Sequence, residues 1–421
     1  MSSGLRSLHR IFKKLRTLGV AATALVAGAG ARDAAVAGPT ALQLVATWPI
    51  EVDDPAPPAL PAAHAVWVDM IDDATVRIDL AHFYASNREG SRLEPVIVAL
   101  ERAAARGVTV RWLAEDSFHA TYPETLGRLD AVDGIEVRRL RTRELLGGPL
   151  HTKLMLVDGR EAFVGSQNFD WRALEHIVEL GVRIVEPKTV GLYEAVFDTD
   201  WRVAGGTGVA TSNDAWDVDT SVFPRTVEHD GATVEIVPVL GGPRLLPDRT
   251  LWDLPHLLDA IDTSTERVRA QMLTYSPITR DGEFWPDLDN ALRSAAARGV
   301  RVELLVSHWN TRPGQIEHLQ SLQCVPGIEV RIATVPGWSG GFVPYGRVLH
   351  AKTLSVDGRF AWVGTSNWSH DYFHGGRHHG LVVEGASFAR EVDAFFERVW
   401  NAPWSATVDP GRTYPEPRVG G

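Results

Sequence analysis

One nine-residue sentence is written twice in this chain, and that duplication restricts its architecture more than any other feature. His151-Thr-Lys153-Leu-Met-Leu-Val-Asp158-Gly159 recurs as His350-Ala-Lys352-Thr-Leu-Ser-Val-Asp357-Gly358, and the copies run on to Gly-Ser-Gln-Asn168 and Gly-Thr-Ser-Asn367. The offset stays at 199 residues through the asparagine. Outside its first sixteen residues the chain uses lysine only three times, and two of the three stand in these copies. A chain that otherwise writes positive charge as arginine has kept a compact ammonium two residues after a histidine in each half, which marks a duplicated site.

The text around the motif repeats as well. Arg102-Ala-Ala-Ala-Arg106-Gly107-Val108 is echoed by Ser294-Ala-Ala-Ala-Arg298-Gly299-Val300 at an offset of 192, and Gly134-Ile-Glu-Val-Arg138 by Gly327-Ile-Glu-Val-Arg331 at 193. The offset then grows by six, so the second half carries an insertion between Ile332 and His350. Repeats on this scale mean one fold written twice. Each half reads strand, helix, strand, helix, strand: 76–83, 94–106, 108–114, 125–131 and 135–140, then 268–275, 285–298, 300–307, 315–322 and 328–333. Short β-branched runs alternating with Ala-rich helical patterns and Arg-Gly stops predict an α/β fold with a largely parallel sheet covered by helices on both faces. A hairpin then carries the motif, and helices near 190–201 and 388–400 close the halves. Residues 205–230 are rich in Gly, Thr, Ser, Asn and Asp without periodicity and read as a linker, with a boundary near Asn213. The expected domains are 38–212 and 213–421.

Residues 1–37 are read separately. Arg6, Arg10, Lys13, Lys14 and Arg16 precede a small-residue apolar run over 18–31, and Ala35-Val36-Ala37 follows. This is the pattern of a cleavable secretory signal peptide, since the run is shorter than the ~20 residues that span a bilayer; an N-terminal membrane anchor is the alternative. The expected location is secreted or periplasmic. Loss of 1–37 removes six basic residues and one acidic one, taking the formal charge from −11 to −16, which argues against broad adhesion to polyanions. Cys324 is the only cysteine, so an exported chain has no internal disulfide and relies on its cores.

Residues two apart in a strand face one side, so His151 with Lys153, and His350 with Lys352, each present an imidazole and an ammonium to one surface. Asp158 and Asp357 fall in Asp-Gly, the preferred pair of a two-residue hairpin turn, which favours turn formation and support of the site over direct chemistry. After each turn the returning strand brings Asn168 or Asn367 back toward the His/Lys end. Two halves facing each other then surround one pocket with a nucleophile, a proton donor opposite it, fixed cations and amide donors, the set that phosphoryl transfer needs. Glu179 breaks the symmetry, because the second half reads Arg377-His378-His379-Gly380 in the corresponding region. A carboxylate accepting from Nδ1–H of His151 would fix its tautomer, and on that argument His151 is the nucleophile and His350 the acid.

These residues resemble the phospholipase D superfamily, defined by two H-x-K-x4-D motifs each followed by G-[ST]-x-N. The flanking text, Gly165-Ser-Gln-Asn-Phe-Asp-Trp-Arg-Ala-Leu174, Glu179-Leu-Gly, Phe284-Trp-Pro, Val343-Pro-Tyr-Gly-Arg-Val348 and Gly364-Thr-Ser-Asn-Trp-Ser369, is similar to the branch of lysosomal 5′-exonucleases and poxviral envelope phospholipase-like proteins. The resemblance implies two tandem α/β/α sandwich domains about a pseudo-twofold axis with one active site between them. It further implies a phosphohistidine intermediate, no metal and no other cofactor, and pocket roles for His151, Lys153, Asn168, His350, Lys352 and Asn367. Lysosomal members contain more cysteine and are membrane-tethered, so compartment and surface contacts do not transfer.

Two substrates fit. Single-stranded nucleic-acid ends are suggested by the branch and by Phe83 and Tyr275, read as equivalent strand ends able to stack bases. Phospholipids are suggested by the insertion, where Trp338, Phe342 and Tyr345 could bind substrate or meet a lipid interface. Metal binding through His370, His374, His378 and His379 is disfavoured by Gly375 and Gly376, and a binding protein with a dead site by the completeness of both motifs.

Overall fold

The computed structural model describes residues 40–206, 216 and 218–420. The expected leader and the boundary near Asn213 lie outside the described residues. Each half is built on a mixed sheet. In the first, Arg77–His82, Thr109–Glu115 and Ile135–Leu140 run parallel, and Lys153–Val157, Glu161–Gly165, Ile177–Ile184 and Leu42–Thr47 continue the sheet antiparallel from the other side of Arg77–His82. The second half repeats this with Arg267–Met272, Arg301–Ser307 and Ile328–Ala333 parallel, then Thr353–Val356, Phe360–Gly364, His378–Glu384 and Ala232–Gly241 antiparallel. The parallel part is therefore three strands per sheet, narrower than the sequence pattern suggests. Helical crossovers join only those strands, and the motif hairpins reverse by short turns.

The helices follow from their apolar spacing. Glu94–Ala105 buries Val96, Ile97, Ala99, Leu100, Ala103 and Ala104 as one stripe, and it ends where Gly107 takes φ +90°, a left-handed position cheap only for glycine. Asp287–Ala297 ends the same way before Gly299 at φ +89°. The closing helices Pro187–Ala204 and Ala386–Trp400 share one apolar cluster with Leu150, Leu180, Leu349 and Leu381. That cluster takes residues from both halves, and the Tyr193 hydroxyl donates across it to the Gly380 carbonyl at 2.7 Å. The two halves thus share a core.

Part of the segment read as linker is a hairpin: Arg225–His229 pairs with Ala232–Gly241. Its turn, Asp230-Gly231 at φ 48° and 70°, carries the Asp-Gly hairpin signal between alternating valines that the linker reading passed over. The motif turns are of the expected kind, with Asp158 and Gly159 at φ 54° and 64°, Asp357 and Gly358 at 51° and 60°, and Arg160 N–H closing onto the Val157 carbonyl at 3.0 Å.

Asp158 accepts from the backbone of Thr75, Val76 and Arg77 and from the Thr75 hydroxyl, all at 2.8–2.9 Å; Asp357 does the same with Thr265, Glu266 and Arg267. Burial raises the Asp158 pKa, but these N–H donors outweigh it and hold the carboxyl below its usual range. Such a group adds stability above its unfolded pKa and loses it as pH falls through the folded one. Asp158→Ala leaves several N–H groups without their acceptor and puts alanine at positive φ, so a loss of about 3 kcal/mol is expected. In thermal melts this appears as a fall in Tm of roughly 4 °C, and an unchanged Tm would contradict it.

Candidate active site

Each histidine hangs on the other half's sheet. His151 N–H donates to the Arg377 carbonyl at 3.0 Å, next to a parallel bridge between Leu150 and Arg377. Reciprocally, Val348–Leu349 pairs in parallel with Ile177 and Val178, and the N–H groups of His350 and Ala351 both donate to the Val178 carbonyl at 2.9 and 3.0 Å. This exchange is the pseudo-twofold relation, and it puts both motifs into one pocket at the junction of the halves. Lys153 Nζ lies 3.2 Å from His151 Nε2 and donates to the His151 carbonyl at 3.0 Å; Lys352 Nζ donates to the His350 carbonyl. Both lysines are fully buried, and the histidines are 5% and 6% exposed.

Glu179 corrects the expectation from sequence. Its carboxylate meets His350 Nδ1 at 2.8 and 2.9 Å, not His151. The cause is the docking just described: the strand that leads to His350 lies beside Ile177–Ile184, so the nearest imidazole to Glu179 belongs to the other half. No side chain among the described residues accepts from His151 Nδ1. The residue twofold-related to Glu179 is His378, whose ring sits 5.4 Å from that of His151. Tyr372 completes the environment, 5.0 Å from His151 and 5.2 Å from His378. The motif-based expectation assigns neither residue to the pocket, although the constant 199-residue offset from Glu179 identifies His378.

The charges differ accordingly. Burial, then the cations Lys153 and Lys352 with His378 and His350 nearby, push the His151 pKa well below its usual value. Burial raises Glu179 to about 8, against the pull of Lys352, Ser166 and Lys153, and burial lowers Lys352 to about 7, opposed by Glu179. Burial, then Lys352 and Lys153, lower His350 as well, and burial with Lys352 lowers Lys153 well below its usual value; the arrangement is a Glu179–His350 pair that holds one proton, facing a neutral His151 beside Lys153.

The other candidate residues divide. Asn367 is buried and its Oδ1 accepts from Thr274 N–H at 3.4 Å; Asn168 is half-buried. Asp158 and Asp357 sit at the far ends of the strands: Asp158 binds the start of Arg77–His82, whereas Lys153 is in register with His82, about 16 Å along a strand. Phe83 is half-buried with its ring 5.1 Å from His151 and 5.6 Å from the Lys153 ammonium. Tyr275 is not its counterpart. Strand register matches His82 with Met272 and thus Phe83 with Leu273, and Tyr275 is 1% exposed with its hydroxyl on Asp289 at 2.7 Å, a core residue. Trp338 packs on His176 at 4.9 Å while its neighbour Ser339 bonds Glu51, so this part of the insertion is docked on the first half. Phe342 and Tyr345 are 44% and 49% exposed, with the Arg418 guanidinium 3.8 Å over Phe342. The four histidines considered for metal do not converge: His370 and His374 stack on each other at 4.3 Å, His378 meets Thr365 and His379 meets Thr152.

Among the described residues no helix is long and apolar enough to cross a membrane. Comparison with known proteins matches the family model "Cardiolipin synthase, PLD-like domain" to residues 67–201 and again to 257–400. Phospholipase D Z of Dictyostelium discoideum is 32% identical over 370 residues, spanning 82% of this chain and 86% of its own. The 5'-3' exonuclease PLD4 of Mus musculus is 31% identical over 397 residues, spanning 84% and 76%. Among solved structures, the phosphatidylserine synthase of Haemophilus influenzae Rd KW20 superposes with a TM-score of 0.59 over 82% of this chain and 84% of its own, at 11% identity, a likeness of fold. Two matched domains, two complete motifs in one pocket and these relatives make the chain a phosphodiesterase of the phospholipase D superfamily, close to the branch of the 5'-3' exonucleases.

Proposed function

We propose that this is an exported, metal-independent phosphodiesterase that forms a phosphohistidine on His151 and releases nucleotides from the 5′ end of single-stranded nucleic acid. Glu179 on His350 removes the sequence-based reason for taking His151 as the nucleophile, and the division of labour rests instead on which imidazole a carboxylate helps to hold a proton. Burial, Lys352 and Lys153 push His350 well below its usual value too, but the carboxylate at its Nδ1 favours the protonated ring, whereas His151 has no carboxylate partner at Nδ1 among the described residues. His151 Nε2 attacks phosphorus as the P–O bond to the leaving oxygen breaks, and His350 delivers its proton to that oxygen. His350 then takes a proton from water, whose oxygen displaces His151 and frees it. Lys153, Lys352, Asn168 and Asn367 supply charge and donors to the non-bridging oxygens. Export rests on the pattern of residues 1–37.

Nucleic acid is favoured by the exonuclease relatives and by the half-buried Phe83 ring against His151. Phospholipid is the second reading, favoured by the phospholipase relatives and by the exposed Phe342 and Tyr345 of the insertion. The test is to incubate the chain with 5′-hydroxyl and 5′-phosphate oligonucleotides beside phosphatidylcholine and phosphatidylglycerol vesicles, with and without excess chelator. Stepwise shortening of the 5′-hydroxyl oligonucleotide, unaffected by chelator, is expected. Headgroup release without oligonucleotide shortening would establish the second reading, and activity restored only by added metal would refute the metal-free chemistry.

A further inference from the structure

Beyond Phe83, the first-half side of the pocket continues as a run of packed rings. Phe83 meets Phe118 at 4.1 Å between centroids; the Phe118 and Tyr84 rings are nearly parallel, at 18° and 5.9 Å; Tyr84 and Tyr122 stack at 20° and 4.7 Å. The Arg172 guanidinium lies 5.7 Å from the Tyr122 ring and 5.8 Å from that of Tyr345, which reaches over from the second-half insertion. We infer that this run is a stacking track for the bases of a single strand whose reacting phosphodiester lies at His151, an inference that rests on the nucleic-acid reading above.

Three observations carry it. Phe83, Phe118 and Tyr122 are half-buried residues, unlike the core aromatics Trp67, Trp112 and Phe169 on the same half, which are at most 1% exposed, and Tyr84 backs the run, stacked with both Phe118 and Tyr122 and bonded to Asp170. The track is also one-sided: strand register puts Leu273 and Thr274 where the first half has Phe83 and Tyr84, so duplication of the fold did not produce it. Finally, the cation at its outer end is neutralised, because Arg172 is paired with the buried Asp170 carboxylate. A ligand held here is gripped by ring faces rather than by its phosphates, which suits a chain whose formal charge without 1–37 is −16. Stacking contributes about 1–3 kcal/mol per base and tolerates any sequence. An acyl chain would meet hydroxyl tips and a guanidinium along the same path, which disfavours lipid as the occupant.

The track is tested by kinetics on oligothymidylates from two to about twelve nucleotides. For the unmodified protein KM is expected to fall with length and then level off. Tyr122→Leu should flatten that dependence and raise KM for the longer substrates by roughly tenfold, with a smaller effect on kcat, whereas Tyr122→Phe, which keeps the ring, should retain the length dependence. Tyr345→Ala, at an exposed position that does not threaten folding, should raise KM only for oligonucleotides long enough to reach it. A length dependence unaltered in both Tyr122→Leu and Tyr345→Ala, in a protein that does shorten oligonucleotides, overturns the track alone. Failure of the unmodified protein to shorten any oligonucleotide overturns the nucleic-acid reading and the track with it.

Discussion

Replacing His151 by alanine is expected to lower turnover by at least about 10³-fold on every substrate, because the proposed phosphoryl acceptor is lost and His350 is engaged by Glu179. His378 is a further imidazole nearby, its ring 5.4 Å from that of His151 and 5.2 Å from that of Tyr372, with Nδ1 toward Thr365. His350→Ala should cost as much in turnover, and with p-nitrophenolate, which departs without a proton, only the first step should recover, as a burst. With that activated substrate the second step still lacks its base, so phosphoenzyme should accumulate in His350→Ala and be labile to acid. Labelling with a phosphorus-32 phosphodiester, quenching in alkaline detergent and then releasing the label with acid reads this directly. Label retained in His151→Ala and lost in His350→Ala would reverse the two roles, and near-normal turnover in either variant would remove the shared pocket.

Glu179→Gln should give the next largest loss, roughly 10²-fold in kcat/KM, because a neutral amide no longer stabilises the imidazolium that serves as acid. Its pH dependence is more telling. In the unaltered protein the shared proton leaves as pH rises through about 8, the value to which burial lifts Glu179, and Lys352 loses its charge near 7. Both changes act in the same direction, so kcat/KM should decline through pH 7–8. His151, its pKa held well below the usual value by burial and by Lys153, should stay neutral on the acid side, so an acidic to neutral working range is expected if it is the nucleophile. Glu179→Gln should remove the carboxylate's part of the alkaline limb, and its defect should shrink with p-nitrophenolate as leaving group. A pH profile that instead rises from 7 to 9 would exclude a proton held between Glu179 and His350.

What the sequence determined by itself is whatever depends on near neighbours. The repeat, the order of strands and helices, the Asp-Gly turns at positive φ and the approach of Lys153 to His151 all follow from interactions a few residues apart, and local patterns in the chain therefore encode them. Tertiary structure alone decided how the two copies meet. Glu179 serves His350 because Val348–Leu349 docks on Ile177–Ile184 across the pseudo-twofold, a contact between residues 171 apart that no local pattern encodes. The aromatic pairing failed for a related reason. Phe83 and Tyr275 look equivalent along the chain, yet strand register aligns Phe83 with Leu273, and that shift of two residues leaves one ring at the pocket and buries the other on Asp289. Register between strands is set by which side chains fill the core between the sheets, a collective packing problem whose solution exists only once the whole chain has folded.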